Sequence, residues 1–171
     1  MELDEVIRGR YSVRNYSDRK IEYEVMAQVI EAGMLAPTAK NSQRQRIYVV
    51  CSDEKIAKLR AACRCAYNAP AVLCFTAENS EVYYNPFEET FNSGHQDCSI
   101  VATHMMLKAY ELGLGTCWVN HYSRARVREL LDIPESEEIV LLMPIGYPAE
   151  DSVPAPKHSE SKKAEEIVFF K

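Results

Sequence analysis

The sequence predicts an α+β domain, on three observations. Segments with helical apolar spacing alternate along the chain with short β-branched runs bounded by Pro, Gly and Ser, the pattern of helices interleaved with strands. At 171 residues and 47% hydrophobic, residues 1–171 suit a single domain with a genuine core. The third observation is the stretch from Asp97 to Ser123. From Asp97 to Leu112 the apolar residues Ile100, Val101, Ala102, Met105, Met106, Leu107, Ala109, Tyr110 and Leu112 surround most of a helical wheel and leave His104, Lys108 and Glu111 as a narrow polar stripe. A helix apolar on nearly all sides must be buried on nearly all sides, which one small domain struggles to provide. Asp97 is expected to N-cap it, and Gly113 sits where a left-handed C-cap is wanted. Thr116 to Asn120 then reads as a short strand leaving the helix.

Taken in order, Leu3, Val6 and Ile7 form a short amphipathic start. In Arg10-Tyr11-Ser12-Val13-Arg14 a compact turn could aim two guanidinium groups and a hydroxyl at one dianion, the alternative being a solvated basic turn. Met26, Val29, Ile30 and Gly33 give a one-faced helix over Tyr23 to Leu35, which Pro37 ends. Ala36 to Gln43 is a loop rich in amides and hydroxyls, suited to reading the edge of a heterocycle or simply to joining a helix to a strand. A strand is expected over Ile47 to Cys51, a helix from Glu54 to about Arg64 and a buried strand over Val72 to Ala77. Glu78 to Ser93 has no sustained period yet holds Tyr83, Tyr84, Phe87 and Phe91, and reads as an excursion over a pocket or interface. Ser123 caps a helix through Leu131, and Ile139 to Gly146 is a buried strand. From Ala149 the chain is an extended arm whose end, Ile167-Val168-Phe169-Phe170, makes sense as a strand added to some sheet, within reach of a second subunit.

The formal net charge of −5 argues against a nucleic-acid surface, which needs an excess of cations on one face. Neither a signal segment nor an apolar run long enough to span a membrane is found, so the expected location is the cytoplasm. Six cysteines fit a reducing compartment as core residues, and Cys63-x-Cys65 lacks the second pair a metal site wants, so no metal is expected. Cys117 has the apolar neighbours of a packing residue rather than a nucleophile. His104 is expected to hydrogen-bond at an interface, while His95 and His158 fall in loops. Neither a phosphate-loop motif nor a G-x-G-x-x-G turn occurs.

Four motifs in register resemble the FMN-dependent nitroreductase family, and the resemblance covers nearly the whole chain. They are Arg10-Tyr11-Ser12-Val13-Arg14, Ala36-Pro37-Thr38-Ala39-Lys40-Asn41-Ser42-Gln43, the run from Leu112 to Trp118, and Pro144-Ile145-Gly146-Tyr147-Pro148. The resemblance implies a central mixed sheet flanked by helices in three layers, and a homodimer with the long helix at its interface. It also implies C-terminal arms exchanged between subunits and an FMN in each interfacial cleft. Arg10, Tyr11, Ser12 and Arg14 would hold the FMN phosphate and ribityl chain, with Pro37, Thr38, Asn41 and Gln43 in the loop that approaches the same flavin from the partner subunit. Trp118, Val119, Asn120 and His121 would lie along the ring, the N–H groups of Asn120 and His121 near its N5 and O4 edge. A late cation completes the family's phosphate site, and Lys157 or Lys162 could serve.

Chemistry would then belong to the flavin, with no catalytic side chain. NADH or NADPH would reduce the FMN by hydride transfer, and a nitroaromatic, quinone or similar small acceptor would follow in the same place by a ping-pong mechanism. His121, Tyr83 and Phe87 are the expected substrate contacts. Two departures matter. Arg44 and Gln45 stand where many members have Pro-Trp, and Asn120 and His121 bring polar side chains where a small residue is common. The alternatives are a protein that stores or senses FMN without turnover, a reductive dehalogenase-like or flavin-fragmenting branch, and a cofactor-free interaction protein.

Overall fold

A computed structural model describes residues 1–80, 82–88 and 90–171. In chain order the elements are α1 (Leu3–Gly9), α2 (Tyr23–Met34), β1 (Gln45–Val50), α3 (Asp53–Ala62), β2 (Ala71–Glu78), α4 (Gly94–Glu111), β3 (Gly115–Thr116), α5 (Arg124–Leu131) and β4 (Glu137–Gly146). The sheet runs β1-β2-β4-β3, and these strands pair antiparallel throughout. Among the described residues its mixed character enters only through an isolated parallel bridge between Ser12 and Thr116.

Helices cover both faces, as the three-layer expectation requires. Along β2, Ala71, Leu73, Phe75 and Ala77 meet the α2 and α4 layer, while Val72 and Cys74 meet the α3 and α5 layer. This is the two-residue period of a pleated strand buried on both sides. β4 keeps the same alternation until a bulge opposite Phe75 and Thr76, which leaves Val140 and Leu141 both on the α4 side.

Helix α4 departs from expectation at its start. It begins at Gly94 with Ser93 as its N-cap residue, so Asp97 lies buried within the first turn and does not cap. Its buried residues, Cys98, Val101, Ala102, Met105 and Ala109 among them, form a single face at three- and four-residue spacing. Ile100 remains 38% exposed, and Met106, Leu107 and Tyr110 are half-buried. Burial on nearly all sides is therefore not achieved by one chain. Gly113 closes the helix with φ +80°, as its position implied.

The excursion before α4 is a small hairpin. Tyr84 bridges Asn92, Ser93 N donates to Tyr83 O at 2.9 Å and Asn85 N to Phe91 O at 3.1 Å. Phe87 stands near its tip, 95% exposed. Residues 81 and 89 of the excursion lie outside the described residues. The arm also departs from expectation. It carries single 3-10 turns at Pro156–Ser159 and Ala164–Glu166, and Ile167 to Phe170 are exposed with no strand formed. A strand needs a hydrogen-bonded neighbour, and this segment meets none in its own chain among the described residues. No helix among the described residues is long and apolar enough to cross a membrane.

Candidate functional site

Two of the motifs meet at the β3 edge of the sheet. Val13 N donates to Thr116 O at 2.9 Å, beside the Ser12 bridge. This contact needs Gly115, because a Cβ there would overlap Val13. Arg10 has extended dihedrals (φ −62°, ψ 143°), so the segment lies along the strand rather than in the compact turn the sequence suggested. Tyr16 anchors it from below, its buried hydroxyl donating to Val13 O at 2.8 Å, and burial pushes that phenol well above the ordinary range.

Arg14 Nη1 donates to Ser12 O at 3.2 Å. Burial pushes the Cys117 thiol up, while the neighbouring Arg14, Tyr67 and Ser12 side chains oppose the shift. Cys117 is thus a packed thiol, in line with its apolar neighbours. Tyr67 faces the same group from a backbone of φ 52° and ψ −145°, a region that favours glycine.

The root of the arm runs back along this segment. Tyr11 OH donates to Ser152 O at 3.1 Å, Asn15 Nδ2 to Asp151 Oδ1 at 2.8 Å, and the His158 ring stands edge-on to Tyr11 with centroids 6.3 Å apart. Lys157 therefore adjoins a residue packed on Tyr11, whereas Lys162 lies farther along the arm, and both are exposed.

Beyond β3, the chain stays paired to β4: Val119 exchanges backbone hydrogen bonds with Leu142 at 2.9 and 3.1 Å. Its side chain is buried in the α3 and α5 layer, and Trp118 packs partly buried on the other layer. The side-chain NH2 of Asn120 donates to Val140 O and Val119 O at 3.1 and 3.3 Å, and His121 is exposed. The backbone N–H groups of Asn120 and His121 have no protein acceptor among the described residues. His95, expected in a loop, lies in the first turn of α4 and pairs with Glu138 at 2.9 Å, and Glu138 also meets Arg124 at 3.3 Å.

The other motif is built differently. In the loop from Ala36 to Gln43, Lys40, Asn41 and Gln43 have φ of 51°, 54° and 51°. Asparagine tolerates this left-handed form, but Lys and Gln hold it only under constraint. Within the loop Gln43 N donates to Thr38 Oγ1 at 3.1 Å and Asn41 N to Thr38 O at 2.9 Å. Outside it, Ala39 N donates to Asp97 Oδ1 at 2.9 Å, and Lys40 Nζ lies 4.9 Å from the centre of the Tyr83 ring. Pro37 is exposed at the loop's entry. Ser42 Oγ and Gln45 Oε1 are buried without a hydrogen-bond partner. Buried polar atoms are ordinarily paired, so these two are exceptions.

These two sets of residues are far apart. Gly9 packs beneath Tyr110 near the C-terminal end of α4, while Ala39 hangs from Asp97 near its N-terminal end. From Asp97 to Tyr110 is roughly 20 Å of helix at the α-helical rise per residue. The sets also adjoin opposite edge strands, β3 and β1. A cleft of about 760 Å³ between α2, α3 and β1, lined by Tyr23, Met26, Ile30, Val49, Cys51 and Ile56 among others, belongs to neither.

Sequence reasoning missed Asp97 as a support, along with Tyr67, Ser42 and Gln45. For Asp97 a signal existed: it lies on the wheel face of Val101 and Met105, where a carboxylate must find donors. For the other three, single-residue identity carries no such signal.

Comparisons with known proteins bear on the fold and the family. A solved nitroreductase family protein from Clostridium difficile 630 superposes with a TM-score of 0.92 at 34% identity, covering 100% of this chain and 99% of that one. A protein of Archaeoglobus fulgidus, whose name joins NADH dehydrogenase and NAD(P)H nitroreductase, is 32% identical over 155 residues, 85% of each chain. The FMN reductase [NAD(P)H] of Bacillus subtilis is 27% identical over 91% of this chain and 70% of its own. The Nitroreductase family matches residues 7–68 and 64–147, so the chain belongs to the nitroreductase family.

Proposed function

We propose that this protein is an FMN-dependent NAD(P)H oxidoreductase that works as a pair of identical chains. The observation that carries the reading is the separation of its two motif sets to opposite ends of α4 and opposite sheet edges. A two-fold pair packed through the open faces of α4 sets the N-terminal end of one helix beside the C-terminal end of the other. The Thr38 to Gln43 loop of one copy then faces the Arg10 to Arg14 segment of the other. Ile100, Met106 and Tyr110 supply the apolar area, and the exposed Ile167 to Phe170 segment adds to the sheet of the second copy through an exchanged arm.

The residues present fit FMN. Arg10, Ser12 and Arg14, with Lys157 of the arm, suit a phosphate dianion. The N–H groups of Asn120 and His121 suit an electron-rich ring edge, and Ser42 and Gln45 bring the orphaned hydroxyl and carbonyl. Bound FMN supplies the hydride chemistry between NAD(P)H and the acceptor. The protein holds the dianion, donates main-chain hydrogen bonds to the ring edge and screens the cleft with Tyr83 and Phe87. Donor and acceptor, a nitroaromatic, quinone or similar small molecule, use one cleft in turn, which predicts ping-pong kinetics. The six cysteines form no disulfide, in keeping with work in the cytoplasm.

Anaerobic addition of NADH or NADPH to the yellow protein tests the reading. Bleaching of the flavin band, reversed by a quinone or nitro compound, is expected. A bound flavin that never bleaches would make this a sensor or store.

A further inference from the structure

We infer that Asp97 is the positioning residue that fixes the Ala36 to Gln43 loop and the aromatic hairpin as one rigid unit at the cofactor cleft. The inference rests on the FMN reading above. Asp97 is 4% exposed on a helix face otherwise given to the core. A carboxylate in such a place must be satisfied by donors, and the donors here come from the two neighbouring segments. Ala39 N donates to Oδ1 at 2.9 Å, and the buried Ser93 hydroxyl donates to Oδ2 at 2.7 Å.

Ala39 is the last residue before the left-handed run. Lys40, Asn41 and Gln43 would each relax toward negative φ in a free loop, so the Ala39 anchor and the inner bonds to Thr38 hold the strained form. Ser93 ends the hairpin: its own N–H closes the pair with Tyr83 O, and Lys40 reaches back over the Tyr83 ring. One carboxylate thus joins the loop that carries Thr38 and Asn41 to the hairpin that carries Tyr83 and Phe87. Flavin contact and acceptor cover are mechanically a single piece, and Asp97 acts through that piece without touching the reacting atoms.

The test compares Asp97→Ala, Asp97→Asn and the unmodified protein by fluorescence titration of the apo form with FMN, by thermal melting, and by steady-state kinetics at saturating FMN. Asp97→Ala should weaken FMN binding about tenfold, the scale of a lost hydrogen bond to a charged group. It should also raise the acceptor KM several-fold while changing the kcat for flavin reduction less than twofold. Asp97→Asn keeps an acceptor for Ala39 N–H and a donor toward Ser93, and should return FMN affinity to within about threefold of the unmodified value. A lowered melting temperature with unchanged FMN affinity in Asp97→Ala would show a purely structural carboxylate and overturn the inference. So would an Asp97→Asn protein as weak as Asp97→Ala. If Asp97→Ala does not fold, Ser93→Ala gives the same reading at about threefold, and unchanged affinity there overturns it. Failure of the unmodified protein to bind FMN removes the flavin reading and this inference with it; equal binding by unmodified and Asp97→Ala proteins removes this inference alone.

Discussion

The segment from Arg10 to Arg14 and the loop from Ala36 to Gln43 serve the same cofactor in the proposed pair, yet opposite physics builds them. The first is relaxed backbone laid along a strand, pinned by Val13 to Thr116 and given room by Gly115. The second is strained backbone, left-handed at Lys40, Asn41 and Gln43, held by a buried carboxylate and a stacked cation. An extended segment can offer cationic side chains to a phosphate with little conformational cost. A left-handed loop instead turns the side chains of Asn41 and Gln43 outward at close spacing, which suits contact with the edge of a flat ring. The first set should therefore fail through loss of charge or packing, the second through loss of constraint.

The largest effect should come from the first set. Replacing Arg10 and Arg14 together by Ala should weaken FMN binding by about 100-fold, roughly 3 kcal/mol, with the fold intact by circular dichroism. Unchanged affinity would break the assignment of this segment to the phosphate. Next, Gly115→Ala should cost about 1–3 kcal/mol of stability, because its Cβ overlaps Val13, and should weaken FMN binding as Ser12 is displaced. Gly113→Ala is the control. Its φ of +80° should cost about 1 kcal/mol in the melt with FMN affinity unaltered, since no atom lies near its Cβ.

For the second set, a double-mutant cycle of Lys40→Met and Tyr83→Leu should show a coupling of about 0.5–1 kcal/mol by melting. Additive effects would mean that the 4.9 Å stacking holds nothing. Phe87→Ala, at the far end of the same hairpin, should raise acceptor KM a few-fold and leave FMN affinity alone.

The smallest effect lies outside both sets. The Tyr147 hydroxyl and then Arg19 hold the Glu22 carboxyl down to about 2. A carboxyl depressed by folding contributes stability that is complete above the unfolded carboxylate range and is lost as pH falls from about 4.5 through about 2. Tyr147→Phe should therefore flatten the acid limb of the melting curve between pH 5 and pH 2, on the order of these pKa values. An unchanged acid limb would remove Tyr147 from that role.

Beside the first set, the local features were legible in the sequence: Gly113 marks a left-handed cap, and the β-branched run after it marks extended backbone. The compact turn expected over Arg10 to Arg14 was not, because its pairing with Thr116 and the close approach at Gly115 are tertiary. The second set was legible as a motif but not as a conformation: Asn41 tolerates positive φ, but Lys40 and Gln43 adopt it only under tertiary constraint. Asp97 illustrates the same limit: a cap is a local signal, and the Ser93 turn that displaces it comes from the hairpin. Val119 shows another limit. Its place in Trp118 to His121 suggested the ring, but the two-residue period of the strand turns its side chain into the core. The tail could be read as an unpaired strand but given no neighbour, because the described residues of its own chain offer none.

The central claim is that FMN is gripped between two copies of this chain. Sedimentation velocity of the purified protein with added FMN, followed at the flavin absorption band, tests it most directly. The account predicts that the flavin colour travels with a species of twice the 19.5 kDa chain mass, at one flavin per chain. Colour carried stoichiometrically by a single chain, or protein that sediments colourless in excess FMN, would contradict it.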